Sequence, residues 1–397
     1  MNTSKQLRVL LKAITVVSIA TAGLTSTLMA QRITDVRVHQ VAFSPSGKYI
    51  GVCCWQPDVG GRVSVWETET WQRVLTYKEG VGIGRVVFSP DETLVTIGHA
   101  GKETPIFSLP SGELLRTLTG HEQVVRAVAF TPDGKQIVTG SDDTTVAFWD
   151  VQTGEKLASF EAAQRRLADL VLTPDGKRII VADWDSHAMR VFDTETYEEL
   201  FASERFESIT ARVSISKSGA LIGVSVWDLK HRVYDANTYE LKYTIKGGSD
   251  WIEFSPDENL IAFTASRSAC VIDVSTPDMQ TANRIQSLIR VFETEEDYAT
   301  REEAMAELQA LGSICEPYLR AGMEAENAEV RWRCRTLRER CLSADGARRF
   351  EHTAEVECLS YSPDGKFLAA GDRNGEAVIW DLAEGIAVRR LKIRVIE

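Results

Sequence analysis

The sequence predicts an all-β fold: a ring of seven similar four-stranded blades, interrupted once by a small α-helical insertion. Three observations predict it. A turn motif recurs seven times, an apolar residue follows each copy at a near-constant distance, and strand-period alternation fills the space between. The motif is an apolar residue followed by S/T-P-x-G-K or a variant. It reads FSPSGK at Phe43, FSPDET at Phe88, FTPDGK at Phe130, LTPDGK at Leu172, ISKSGA at Ile215, FSPDEN at Phe254 and YSPDGK at Tyr361. Successive copies are 45, 42, 42, 43, 39 and 107 residues apart. The second landmark is Trp66, Phe107, Trp149, Phe192, Tyr234, Ile272 and Trp380, lying 23, 19, 19, 20, 19, 18 and 19 residues after the first.

Within one repeat, VRAVAF, KQIVTG and TVAFWD alternate with strand period, and PDG and SDD supply turn chemistry between them. Segments such as TGEKL after Trp149 lead into a fourth strand. Four short strands in about 42 residues form a propeller blade. A lone blade leaves both faces uncovered, so neighbours must bury them around a ring.

Repeat three, GHEQVVRAVAFTPDGKQIVTGSDDTTVAFWD over Gly120 to Asp150, resembles the WD40 family. The resemblance covers roughly 33–275 and 346–395 and implies a seven-bladed WD40-type β-propeller. It further implies a hydrogen-bonded structural tetrad of His121, Thr139, Asp143 and Trp149, with Asp143 accepting from the imidazole and Thr139 relaying to the indole. Repeat seven keeps His352 and Trp380 but has Ala370 and Asn374 at the Thr and Asp positions. Repeat five keeps Asp228 with Tyr234 for Trp, and repeats two and six keep almost no tetrad, so those blades must rely on apolar packing.

The long last step places about 65 extra residues between the third and fourth strands of blade six. Ile285, Leu288, Ile289 and Phe292 recur at helical spacing. Thr300-x-x-Glu303 reads as a capping box, Gly312 as a stop, and Pro317 as an early position of a third helix. Val330, Cys334, Leu337 and Cys341 would line one face of a fourth helix. The segment is similar to a HEAT-like unit. Its Arg331, Arg333, Arg335, Arg338 and Arg340 read as a solvated helix face, with an anionic docking face as the alternative.

The N-terminus reads as a leader: Lys5, Arg8 and Lys12 precede an uncharged run from Ala13 to Ala30, with Ala20-Thr21-Ala22 as a cleavage site. The implied organisation is a signal peptide or membrane anchor over 1–30, blades one to six (part) over 31–275, the helical insertion over 276–345, and the end of blade six with blade seven over 346–397. An exported or membrane-anchored protein is expected. The seven cysteines include no CxxC or Cys/His set with metal-ligand spacing and read mostly as small buried hydrophobes. A net charge of −12 argues against a nucleic-acid partner.

Aligned on the first landmark, position +12 holds Trp55, Ala100, Asp142, Trp184, Trp227, Ser266 and Arg373, expected in the turn after the second strand. A Trp buries about 150–250 Å², so three exposed in one ring should have something to cover them. Trp55, Trp184 and Trp227 are the candidate binding residues, with Asp142 and Arg373 as polar rim. Position +10 holds only small residues (Cys53, Gly98, Gly140, Ala182, Ser225, Thr264 and Gly371), as a crowded inner strand requires.

No P-loop, GxGxxG, GxSxG or HExxH occurs. The expectation is a non-catalytic scaffold, a monomeric propeller binding other proteins through this face and the helical arm, with no cofactor and no metal. The alternatives are an exported enzyme or ligand-binding propeller with its site at the central channel, and a module tethered to a larger envelope assembly.

Overall fold

In a computed structural model of the chain, residues 36–57, 60–79, 83–99, 101–294 and 297–393 are described. The leader over 1–30 and Ala100 lie outside them. Seven four-stranded antiparallel sheets, each with its strands in sequence order, occupy 37–79, 83–118, 125–161, 167–202, 210–246, 252–351 and 356–392. The seven closing residues, Trp66 to Trp380, are each the next-to-last residue of a third strand.

The ring forms because each first strand packs on the blade before it. Two positions before the first landmark stand Val41, Val86, Val128, Leu170, Val213, Ile252 and Leu359, all at most 4% exposed. Blade seven meets blade one in the same manner: Val38, Val41, Ile50 and Val52 cluster with Leu359, Leu368, Ala370 and Val378. The ring therefore closes by packing, with no blade assembled from two ends of the described chain.

The small +10 column lies on the second strands, and its crowding comes from the first strand of the next blade. A Cβ on Gly98 would stand 3.1 Å from Val128, and one on Gly140 2.6 Å from Leu167. The inner strand is thus the neighbour that crowds the column. The same two-sided burial explains adjacent Cys53 and Cys54. Cys53 joins the cluster shared with blade two, and Cys54 the cluster shared with blade seven. All seven cysteines are buried and unpaired.

The turn motifs form a belt at one end of the ring. Gly134, Gly176 and Gly219 adopt φ of +70, +71 and +77, a region that suits glycine, and abut Pro90, Pro132 and Pro174 of the preceding blade. Blades two and six carry Glu92 and Glu258 at that position, with φ of 58 and 61. Each carboxylate reaches the preceding blade. Glu92 accepts from the Ser46 N–H and hydroxyl at 2.6 and 2.7 Å, and Glu258 from those of Ser218 at 2.5 and 2.9 Å.

Between the third and fourth strands of blade six (Ser268–Asp273 and Arg348–Glu351) the chain forms α1 (Met279–Thr294), α2 (Tyr298–Leu311), α3 (Glu316–Gly322) and α4 (Ala328–Cys341). Ile285, Leu288, Phe292, Leu308, Cys334, Leu337 and Cys341 make their common core. Two expectations need correction. The cap of α2 is Asp297, which accepts from the Thr300 N–H, so the helix begins before the expected capping box. The arginines of α4 are not a uniformly solvated face. Arg333 is 2% exposed, held by Glu329 and Glu302 at 2.7 and 2.8 Å, because a buried guanidinium needs carboxylate partners.

Candidate functional site at the channel mouth

The site begins with a backbone irregularity. On six inner strands the ladder skips one residue, four positions before the first landmark: His39, Gly84, Arg126, Ala168, Ala211 and Glu357. Such a bulge re-aims a side chain out of the sheet. Asp250 holds the equivalent place in blade six, just before the strand Ile252–Phe254. All seven residues line a cup of about 470 Å³ at the end of the ring opposite the turn-motif belt, together with Trp184, Trp227, Arg212 and Arg373.

Bulge residue and +12 residue are matched within four of the blades. Blade three pairs Arg126 with Asp142 through two bonds of 2.6 and 2.7 Å. Blade seven pairs Glu357 with Arg373 at 2.6 Å, and Glu357 also takes His39 at 3.0 Å. Blades four and five instead set Ala168 and Ala211 beside Trp184 and Trp227, so the indoles have room to lean over the cup. The two rings meet edge to face at 5.1 Å, and Trp227 remains 48% exposed. The Arg126 and Arg166 guanidinium groups lie 6.0 and 5.3 Å from the Trp184 ring, within cation–π range.

Of the five binding candidates, Trp184, Trp227 and Arg373 line this mouth, and Asp142 stands behind it, bonded to the lining Arg126. Asp142 and Arg373 are thus members of ion pairs. Trp55 does not line the cup. It lies within the strand Tyr49–Gln56, paired with Gly61, because the second and third strands of blade one are longer than elsewhere. The expected turn location is corrected accordingly. The bulge column was missed by the sequence reading; its signal was the pairing of charge with charge and of alanine with tryptophan sixteen residues apart.

One residue further along the inner strands, the channel is filled. Gln40, Arg85, Ala127, Asp169, Trp251 and Cys358 are all buried. Arg85 of blade two pairs with Asp169 of blade four, a contact between non-neighbouring blades that must cross the axis. The Arg85 and Arg212 guanidinium groups lie 5.8 and 4.8 Å from the Trp251 ring. Inner strands also present edge N–H groups that need acceptors. Gln40 accepts from the Val86 N–H at 2.5 Å, Asp169 from Val213 at 3.2 Å, and Glu253 from Tyr361 at 3.1 Å. Desolvation pushes the Glu253 carboxyl up to about 7.

The blade-three tetrad is a chain of short bonds. The His121 Nδ1–H donates to Asp143 at 2.8 Å, Thr139 bonds His121 Nε2 at 2.7 Å, and the Trp149 Nε1–H donates to Thr139 at 2.7 Å. Burial raises the Asp143 carboxyl, but donors from Thr145, Glu122 and His121 overcome it and bring it to about 2. Blade seven reaches a similar end by another route. Without a hydroxyl at Ala370, the Trp380 Nε1–H donates directly to His352 at 3.2 Å, and Asp372, not the residue at Asn374, stands 3.4 Å from the other imidazole nitrogen. In blade five Ser225 bonds His231 at 2.9 Å, and burial pulls that imidazole down to about 4.

Comparison with known proteins agrees with this geometry. The family described as WD domain, G-beta repeat, matches residues 112–150 and 347–381, which are parts of blades two to three and six to seven. An uncharacterized WD repeat-containing protein of Schizosaccharomyces pombe is 55% identical over 31 residues, 8% of this chain and 5% of that protein. Seven sequential four-stranded sheets packed into a ring give this chain the seven-bladed propeller fold, and the two regions matched carry WD, or G-beta, repeats.

Proposed function

We propose that the protein is a non-catalytic interaction scaffold that holds protein partners at the channel mouth, with Trp184 and Trp227 as the apolar anchor. The observation that carries this reading is the indole pair at 5.1 Å over two alanines, with Trp227 48% exposed. Aromatic side chains ringed by charged groups are the usual anchors of interfaces. The matched WD40 repeats support the general role, since such repeats commonly bind other proteins. Changing both tryptophans to alanine is expected to abolish capture of a native partner, identified by affinity capture and mass spectrometry, while leaving the melting temperature within a few degrees. A collapse of stability would assign the pair to the core instead.

A second reading has one observation in its favour. The cup combines apolar wall with charged side chains and has the volume small ligands occupy, so a ligand-binding propeller is the alternative. The leader over 1–30 extends the proposal to an exported or membrane-tethered scaffold, supported by the basic residues ahead of the uncharged run. N-terminal sequencing of the mature protein tests it.

A further inference from the structure

The level that fills the channel has one exception. Of the seven residues at that level, only Arg212 is half-buried, and it alone lines the cup. Its guanidinium stacks on Trp251 at 4.8 Å but has no hydrogen-bond or ion-pair partner among the described residues. Two other arginines lining the cup have acid partners: Arg126 holds Asp142, and Arg373 holds Glu355 and Glu357. Arg85, below, is neutralised by Asp169. The Asp169 and Asp250 carboxylates act on this half-buried guanidinium only as nearby charges, so its fork of donors is open to an anion that meets it directly. Burial and the nearby Arg85 charge pull Arg212 down to about 10, so it remains a cation at neutral pH.

Resting on the mouth as the partner site, we propose that Arg212 receives the free C-terminal carboxylate of a partner chain, whose last side chain packs on Trp184 and Trp227. The shape favours a chain end. The cup is blind, because Arg85, Asp169 and Trp251 cross the axis beneath it. An internal segment would have to enter and turn back within about 470 Å³. The planar fork of an arginine matches a carboxylate bidentately, and the indole pair supplies the apolar wall beside it.

The test uses the full chain and three N-acetylated tripeptides: Gly-Gly-Phe with a free carboxylate, the same peptide amidated, and amidated Gly-Glu-Phe. Binding is read from tryptophan fluorescence. The free acid is expected to bind at least about tenfold more tightly than its amide, a difference of about 1.4 kcal/mol. Arg212→Gln should erase that preference and leave the fold intact. Equal binding of acid and amide overturns the proposal, as does binding of none of the three. Preference for the amidated glutamate peptide also overturns it, reassigning the cup to an acidic side chain. Should Arg212→Gln not fold, salt decides on the natural sequence: added salt must weaken the acid and spare the amide, and an equal effect on both overturns the assignment. Unchanged native-partner capture in Arg212→Gln, with capture lost in the double tryptophan variant, would sink the carboxylate assignment alone and leave the mouth as a partner site.

Discussion

The two ends of the ring are built from the same repeats by opposite rules. At the turn-motif end each blade meets the next through a glycine against a proline or a glutamate against a serine, and the contact recurs with little change. At the mouth, equivalent positions hold His39, Gly84, Arg126, Ala168, Ala211, Asp250 and Glu357, which share neither charge nor size. Uniformity at one end reflects a packing requirement that every junction must meet. Variety at the other marks positions that the ring itself does not dictate, and there the chain can acquire a specific surface.

Between the ends, the tetrad should show the largest effect. Thr139→Val leaves the buried Trp149 N–H and a His121 nitrogen without partners, at about 1–3 kcal/mol each, so a loss of about 2–6 kcal/mol is expected in denaturant unfolding. Its electrostatic part has a defined pH window. Because Asp143 is held below its ordinary 3.8, its contribution is present above that value and disappears as pH falls towards about 2. The melting-temperature gap between the natural protein and Asp143→Asn should therefore be widest near neutrality and narrow in acid.

At the uniform end, Gly176→Val forces a β-branched residue to φ +71 against Pro132 and is expected to cost about 1–3 kcal/mol. Partner capture should be unchanged, and a loss of capture would break the division between the ends. Glu92→Ala removes two bonds to Ser46 from an exposed turn and should cost about 1 kcal/mol. Trp227→Ala should have a similarly small effect on stability, about 0.5–1.5 kcal/mol from its aromatic partner, with the largest effect on capture. A stability loss equal to that of Thr139→Val would move Trp227 into the structural half of the comparison.

The sequence made the ring legible because its landmarks sit where packing tolerates little change. The closing residues Trp66 to Trp380 and the small +10 column follow from fixed spacing, and the tetrad of blade three from the resemblance of that repeat to the WD40 family. The interrupted blade was legible for the same reason, since the fourth strand at Arg348–Glu351 had to follow the helices. What spacing could not show was geometry created by a skipped residue. Ala168 and Ala211 look like ordinary strand residues, and only the bulge turns them into space for an indole. Asp372 replaces the acid missing at Asn374 from two positions earlier, a substitution that a fixed column cannot register. Arg333 looked like one more surface charge until helix packing brought Glu302 to it from α2.

The serine–glutamate contacts have a consequence for the order of the repeats. Ser46 and Ser218 stand where most repeats carry aspartate, and the repeat after each is one with glutamate in place of glycine. Repeat one thus fits repeat two, and five fits six, as a matched couple, whereas the glycine-bearing turns would accept any proline-bearing predecessor. Excising or moving blade one, two, five or six alone would strand one half of a couple, while moving both halves together would not. The turns act as addresses that fix who may sit beside whom.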